Sequence, residues 1–150
     1  MKTLIMSLFS VGVLFLASTL PSAAATPQQQ SCGLLKSLSS GNLKTQLNAF
    51  HKLIGHWNQN SIQNFQKNAR TSLQNTKVIG ADLYLIGNFG QNLQDHLIIV
   101  RNAPGGVGYI RVHYEWAPKE PRAEYVAFED HFSVIIQKAF PQAPKKLSCG

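Results

Sequence analysis

Between Tyr109 and His131 the chain gathers side chains that can move protons or hold charge: Tyr109, Arg111, His113, Glu115, Tyr125, Glu129 and His131. Residues 109, 111, 113 and 115 alternate with Ile110, Val112, Tyr114 and Trp116, so an extended strand sends the polar set to one face and the apolar set to the other. A second extended run, Ala123 to Phe128, follows the turn residues Pro118-Lys119-Glu120-Pro121. A turn centred on Glu120 sets Val112 opposite Phe128 and Tyr114 opposite Val126, apolar against apolar. The same register sets Arg111 opposite Glu129, Tyr109 opposite His131, His113 opposite Ala127 and Glu115 opposite Tyr125, so one pairing serves both faces.

Two chemistries fit that patch. Imidazoles beside carboxylates could act as a general acid and base or ligate a metal, with His113, Glu115, Glu129 and His131 as the working groups. The plainer reading is a cross-strand ion pair between Arg111 and Glu129, with the histidines decorating a wet sheet face. H-x-E projects both side chains from one side of a strand but matches no zinc signature, and no pattern calls for a cofactor. Elsewhere, His51 and His56 lie five apart, off any shared helical face, and Asn102-Ala103-Pro104-Gly105-Gly106 lacks the lysine of a phosphate loop and reads as a hairpin turn. No serine sits in a G-x-S-x-G elbow.

The elements that must position the patch follow from periodicity. Leu43, Leu47, Phe50, Ile54 and Trp57 recur at steps of four and three behind Asn42, which predicts a helix capped by that asparagine. Ile62, Phe65, Ala69 and Leu73 predict a second helix capped by Ser61, and the pair reads as a helical hairpin. Four β-rich runs follow, Val78 to Ile86, His96 to Arg101, Val107 to Trp116 and Ala123 to Phe128, joined by short turns as in an antiparallel meander. Trp57 and Trp116 each end an apolar stripe and are expected in the core. Residues 130–140 fit either period; Glu129 and Asp130 at the start, Lys138 near the end and Pro141 as a stop favour a helix.

The chain opens with Lys2, an apolar run from Leu4 to Leu16 and the small residues Ala23-Ala24-Ala25. That is the pattern of a secretory signal peptide over 1–25, with cleavage after Ala24 or Ala25, and the run is shorter than the roughly 20 residues a membrane span needs. A secreted or periplasmic domain is the expectation, with residues 26–41 as an N-terminal segment carrying Cys32 and 42–150 as a single α+β domain. The formal charge is +7, about +6 without Lys2. That sign suits a protein partner or a small anionic ligand, and export leaves little occasion to meet nucleic acid. Cys32 and Cys149 are the two cysteines, each in a Ser-Cys-Gly tripeptide. In an oxidising compartment they are expected to form one disulfide, which could stabilise the fold by about 4 to 5 kcal/mol in the chain-entropy account.

A helical hairpin packed on a four-stranded curved antiparallel sheet resembles the cone-shaped folds of the nuclear transport factor 2-like and cystatin-like classes. The likeness is in element order over residues 42–137, carried by the Leu43–Trp57 stripe and the 109–116 and 125–128 strand patterns. The resemblance implies a cup able to host small-molecule binding, isomerase or dehydratase chemistry, or protein contacts. The chain departs from enzymatic members in showing no evident Asp/His dyad. The residues favour a non-enzymatic exported binding domain, of inhibitor or immunity type. The alternative is a small-molecule isomerase, dehydratase or hydrolase using His113 or His131 with Glu115 or Glu129.

Overall fold

The computed structural model describes residues 24–90, 92–131 and 143–150. Three helices precede the sheet: α1 (Pro27–Leu38), α2 (Leu43–Ile54) and α3 (Gln59–Leu73). The first has no counterpart in the periodicity, because Thr26 to Gln30 reads as a polar spacer. Its start is nonetheless written locally. Thr26 Oγ1 accepts from Gln29 N, the Gln29 side chain accepts from Thr26 N, and Pro27 occupies the first turn, a full capping box. Asn42 caps α2 by accepting from Thr45 N. α3 is capped by Asn58, accepting from Ser61 N, three residues before the serine expected to do so.

Five strands follow: β1 (Lys77–Asn88), β2 (Leu93–Ala103), β3 (Gly106–Trp116), β4 (Pro121–Glu129) and β5 (Lys145–Leu147). They form one antiparallel sheet in the order β4-β3-β2-β1-β5, with β2 in the middle. The fold is therefore α+β, with one more helix and one more strand than the hairpin and four-stranded sheet inferred from periodicity. Residues 1–23 of the leader expectation and residues 132–140 of the helix expectation lie outside the described residues; Asp130 and His131 lie beyond β4, in neither helix nor strand. No helix among the described residues is long and apolar enough to cross a membrane.

The helices bury one face of the sheet. Leu34 and Leu38 of α1, Phe50, Leu53 and Ile54 of α2, and Ile62 and Leu73 of α3 join Leu83, Ile98, Val100, Ile110, Val112 and Val126 in one core, each large apolar side chain contributing about 1.5 to 3 kcal/mol by leaving water. Phe50, Phe65 and Phe128 pack with ring centroids 5.0–5.5 Å apart. Trp57 completes this cluster half-buried, donating from Nε1 to Ala123 O at 2.8 Å. Trp116 departs from expectation: it is 46% exposed, because it is the last residue of β3, opposite Pro121 at the edge of the turn. The opposite face is not simply wet, since Ile86 and Leu97 are buried there beside the half-buried Tyr84, Ile99 and Tyr109.

Two devices hold α1 to the sheet. Cys32 is bonded to Cys149, with Cα atoms 5.4 Å apart, and Gln28 Nε2 donates to Ser148 O at 2.8 Å, so α1 and the chain segment after β5 are fastened together. Inside the core, Ser31 Oγ lies 2.8 Å from both His96 Nδ1 and Tyr114 Oη, and all three residues are buried. His96 Nε2 is buried without a hydrogen-bond partner. A proton there would be a stranded donor, so the ring is held neutral with its hydrogen bonding directed to Ser31. Burial lowers the His96 pKa to about 4 against a weaker opposing pull from Asp95, and burial pushes the Tyr114 phenol well above its usual range.

Acid therefore destabilises the fold through His96. Between the ordinary histidine value of 6.5 and about 4, the unfolded chain binds a proton at His96 that the folded chain refuses, so stability falls as pH falls through that window. The loss is on the order of 3 kcal/mol by the time the lower value is passed. Thermal melts from pH 7 to 4 are expected to show a declining Tm in the wild type and a flatter profile in the double variant Ser31→Ala, His96→Leu. Parallel declines in the two proteins would remove His96 as the cause.

Candidate functional site

Strand alternation places Asp82, Tyr84, Asp95, Leu97, Ile99, Arg101, Tyr109, Arg111, His113 and Glu115 on the face away from the helices, since residues opposed across an antiparallel ladder share a face. One row crosses four strands there: Gly87 of β1 opposes Asp95 of β2, Asp95 opposes His113 of β3, and His113 opposes Tyr125 of β4.

Asp95 is the centre of that row and is only 5% exposed. Its Oδ1 accepts from His113 Nδ1 at 2.8 Å, and its Oδ2 from Arg111 at 2.7 Å. A buried carboxylate needs such partners, because desolvation costs several kcal/mol that only close opposite charge and hydrogen bonding offset. His113 is thereby oriented: with Nδ1 toward Asp95, Nε2 turns to Glu115, whose Oε1 lies 3.5 Å away. The Arg111 side chain is 17% exposed and that of His113 26%. Two exposed rings flank the row. Tyr125 is 40% exposed at one end and Phe89 52% at the other.

Gly87 makes the Phe89 placement possible. A Cβ there would come within 3.2–3.3 Å of Asp95 Cβ and Oδ2 and of the Phe89 ring, so any side chain would displace the carboxylate or the aromatic. At the other side of the face Asp82 binds Arg101 and, at 2.7 Å, Lys146 of β5. The Arg101 hydrogen bond first, then that of Lys146, hold the Asp82 carboxyl below its usual range.

The seven sequence-derived residues are only partly assembled. Arg111, His113, Glu115 and Tyr125 share the Asp95 neighbourhood. Tyr109 opposes Glu129, not His131, and Arg111 opposes Ala127, not Glu129. The register closes at Trp116–Pro121 and a bulge after His113 adds one residue, which moves the pairing of Tyr109 to His113 by two and so keeps the side chains from Tyr125 to Glu129 on their expected faces, while Ala123 turns to the core face opposite Tyr114. The expected Arg111–Glu129 ion pair is replaced by Arg111–Asp95. His131 stands beyond the strand, three-quarters exposed beside Asp130 at 3.7 Å, so it does not join His113. Asp95 escapes a reading in which the second β run begins at His96, three residues after β2 starts at Leu93. Its alternation with Leu97 and Ile99 is the available signal. Among the described residues, no three His, Cys, Asp or Glu side chains converge to hold a metal ion.

No family model, no curated protein and no solved structure matches the chain. What the site can do is therefore set by its own geometry. The Asp95–His113 pair can orient an imidazole, the exposed rings offer contact area, and Arg111 serves chiefly to neutralise a buried charge.

That last role is measurable. Arg111→Met leaves Asp95 without its guanidinium and is expected to cost about 3 kcal/mol in urea unfolding. The double variant Arg111→Met, Asp95→Leu removes the carboxylate as well and is expected to recover most of that loss. An Arg111→Met protein as stable as the wild type would show that Asp95 does not depend on this pair.

Proposed function

We propose that the protein is an exported binding domain that recognises another protein through the Asp95–His113 row and the rings around it, in the manner of an inhibitor or immunity protein. One observation carries this reading: a fixed charged row is flanked by the exposed rings of Phe89 and Tyr125. Large aromatic side chains at the margin of a rigid polar centre are the usual anchors of protein interfaces, since they bury much area at little entropic cost. The Lys2–Ala25 leader pattern supports export, and the cone-like element order is compatible with protein contacts. No cofactor is invoked.

A second reading has its own support. Asp95 accepting from His113 Nδ1 leaves Nε2 as the outward nitrogen of an oriented imidazole, the arrangement a general acid or base requires. It narrows the enzymatic alternative to His113 with Asp95 and Glu115, and leaves His131 and Glu129 outside it.

Photo-crosslinking separates the two. With p-benzoylphenylalanine at Tyr125, a discrete protein adduct is expected from an envelope or secreted fraction. It should weaken at least about tenfold with Phe89→Ala, the effect of losing one anchor worth about 1.4 kcal/mol. The same probe in place of Asn64, an exposed residue of α3, should give none. Absence of an adduct at the Tyr125 position, or equal labelling from the Asn64 position, would overturn the binding reading and leave the acid–base reading in its place.

A further inference from the structure

Strand parity brings a second group of side chains together on the face opposite the Asp95 row. Gln94 of β2 opposes Tyr114 of β3, whose hydroxyl meets Ser31 in the core, and Asn88 of β1 opposes Gln94. Asn88 and Gln94 therefore lie on the helix-packed face, and Trp116, two residues beyond Tyr114, lies there with them. Trp116 N donates to Asn92 O at 2.9 Å, which holds the β1–β2 turn against the end of β3. These four residues and Gly90 line a concavity of about 490 Å³ to which no helix contributes a residue, a volume within the range of small-molecule sites.

Its lining is polar without being charged. The Asn88, Asn92 and Gln94 side-chain amides make no hydrogen bond among the described residues. Each amide offers donors on its nitrogen and lone pairs on its oxygen. No ionisable side chain lines the concavity, in a chain whose formal charge is +7. Beside the amides the Trp116 ring is 46% exposed, and the negative face of an indole attracts partly positive C–H groups.

A sugar ring carries the complementary pair of surfaces, with hydroxyls around its rim that both donate and accept, and C–H bonds on its faces. An ion would find no countercharge here, and a purely apolar ligand would cover three amides without satisfying them. A proline-rich peptide docks in grooves lined by aromatic rings, whereas one ring among amides suits a hydroxyl-rich ligand. From this juxtaposition we propose that the concavity binds a neutral pyranose sugar, stacked on Trp116 and hydrogen-bonded by Asn88, Asn92 and Gln94. It shares no residue with the proposed protein interface, so the two readings stand or fall separately.

Cellotriose, maltotriose and N,N′,N″-triacetylchitotriose, titrated separately and followed by ¹H–¹⁵N shifts, test it. At least one is expected to saturate the signals of the Trp116 indole N–H and the Asn88, Asn92 and Gln94 side-chain amides by about 10 mM. Sorbitol, which has hydroxyls but no ring, should bind at least about tenfold more weakly. Sodium chloride at about 0.5 M should leave the sugar affinity unchanged, since no charge takes part. Trp116→Ala should weaken binding at least about tenfold with little change in Tm, because the ring stands at the exposed end of its strand. Asn88→Ala with Gln94→Met, which keeps the ring and removes two amides, should weaken it to a similar extent. Failure of all three sugars to saturate these signals by about 10 mM would refute the site. Undiminished affinity in Trp116→Ala would refute its location, and loss of binding in salt would refute its neutrality. Sorbitol binding as tightly as the sugars would refute the stacked ring, and an octaproline peptide binding more tightly than any of them would put a peptide in the sugar's place.

Discussion

Asp95 and His96 are adjacent on the middle strand of the sheet, and their opposite orientations constrain nearly everything around them. The imidazole enters the helix-packed core to meet Ser31 and Tyr114; the carboxylate enters the other face to meet Arg111 and His113. A slip of β2 by one residue would exchange them. The carboxylate would then enter the core beside Ser31 and Tyr114 without a cation, a cost far larger than a few lost apolar contacts. Two polar networks, back to back, thus specify one register for a strand whose other residues, Leu97, Ile98, Ile99 and Val100, discriminate poorly between faces.

Each network ties the sheet to something beyond β2. The core network reaches α1 at Ser31, next to Cys32, so the hydrogen bonds and the disulfide fix the same turn of helix from inside and outside. The outer network fixes Arg111 and His113 on that face through Asp95. It also divides labour across the face. Arg111 is committed to holding Asp95, whereas Phe89 and Tyr125 keep exposed area.

Much of this is legible in the chain. The stripes from Leu43 and Ile62 correspond to α2 and α3, the alternation from Tyr109 to Trp116 to the two faces of β3, and the two cysteines are bonded to each other as expected. Helix α1 is obscured because its glutamines look like a linker, although Thr26-Pro27-x-Gln29 is a start signal in its own right. Strand β5 is three residues long and has no periodicity to read. The β3–β4 register depends on a bulge after His113 that leaves no mark in the alternation of apolar residues. Asp95 requires the correct start of β2, since a site assembled across strands is visible only when every contributing strand is placed. Trp116 shows the limit of a stripe: parity assigns it a face, but burial depends on whether anything packs over the end of that face.

The most direct test of the back-to-back arrangement is long-range ¹H–¹⁵N NMR of the imidazole rings, comparing the wild type with Ser31→Ala and Asp95→Asn. The account predicts that His96 stays neutral at pH 5, that its ring nitrogens respond to Ser31→Ala, and that the His113 nitrogens respond strongly to Asp95→Asn while keeping their signals in Ser31→Ala. A His96 ring that is fully protonated at pH 5, or a His113 ring indifferent to Asp95→Asn, would contradict the register on which both networks depend.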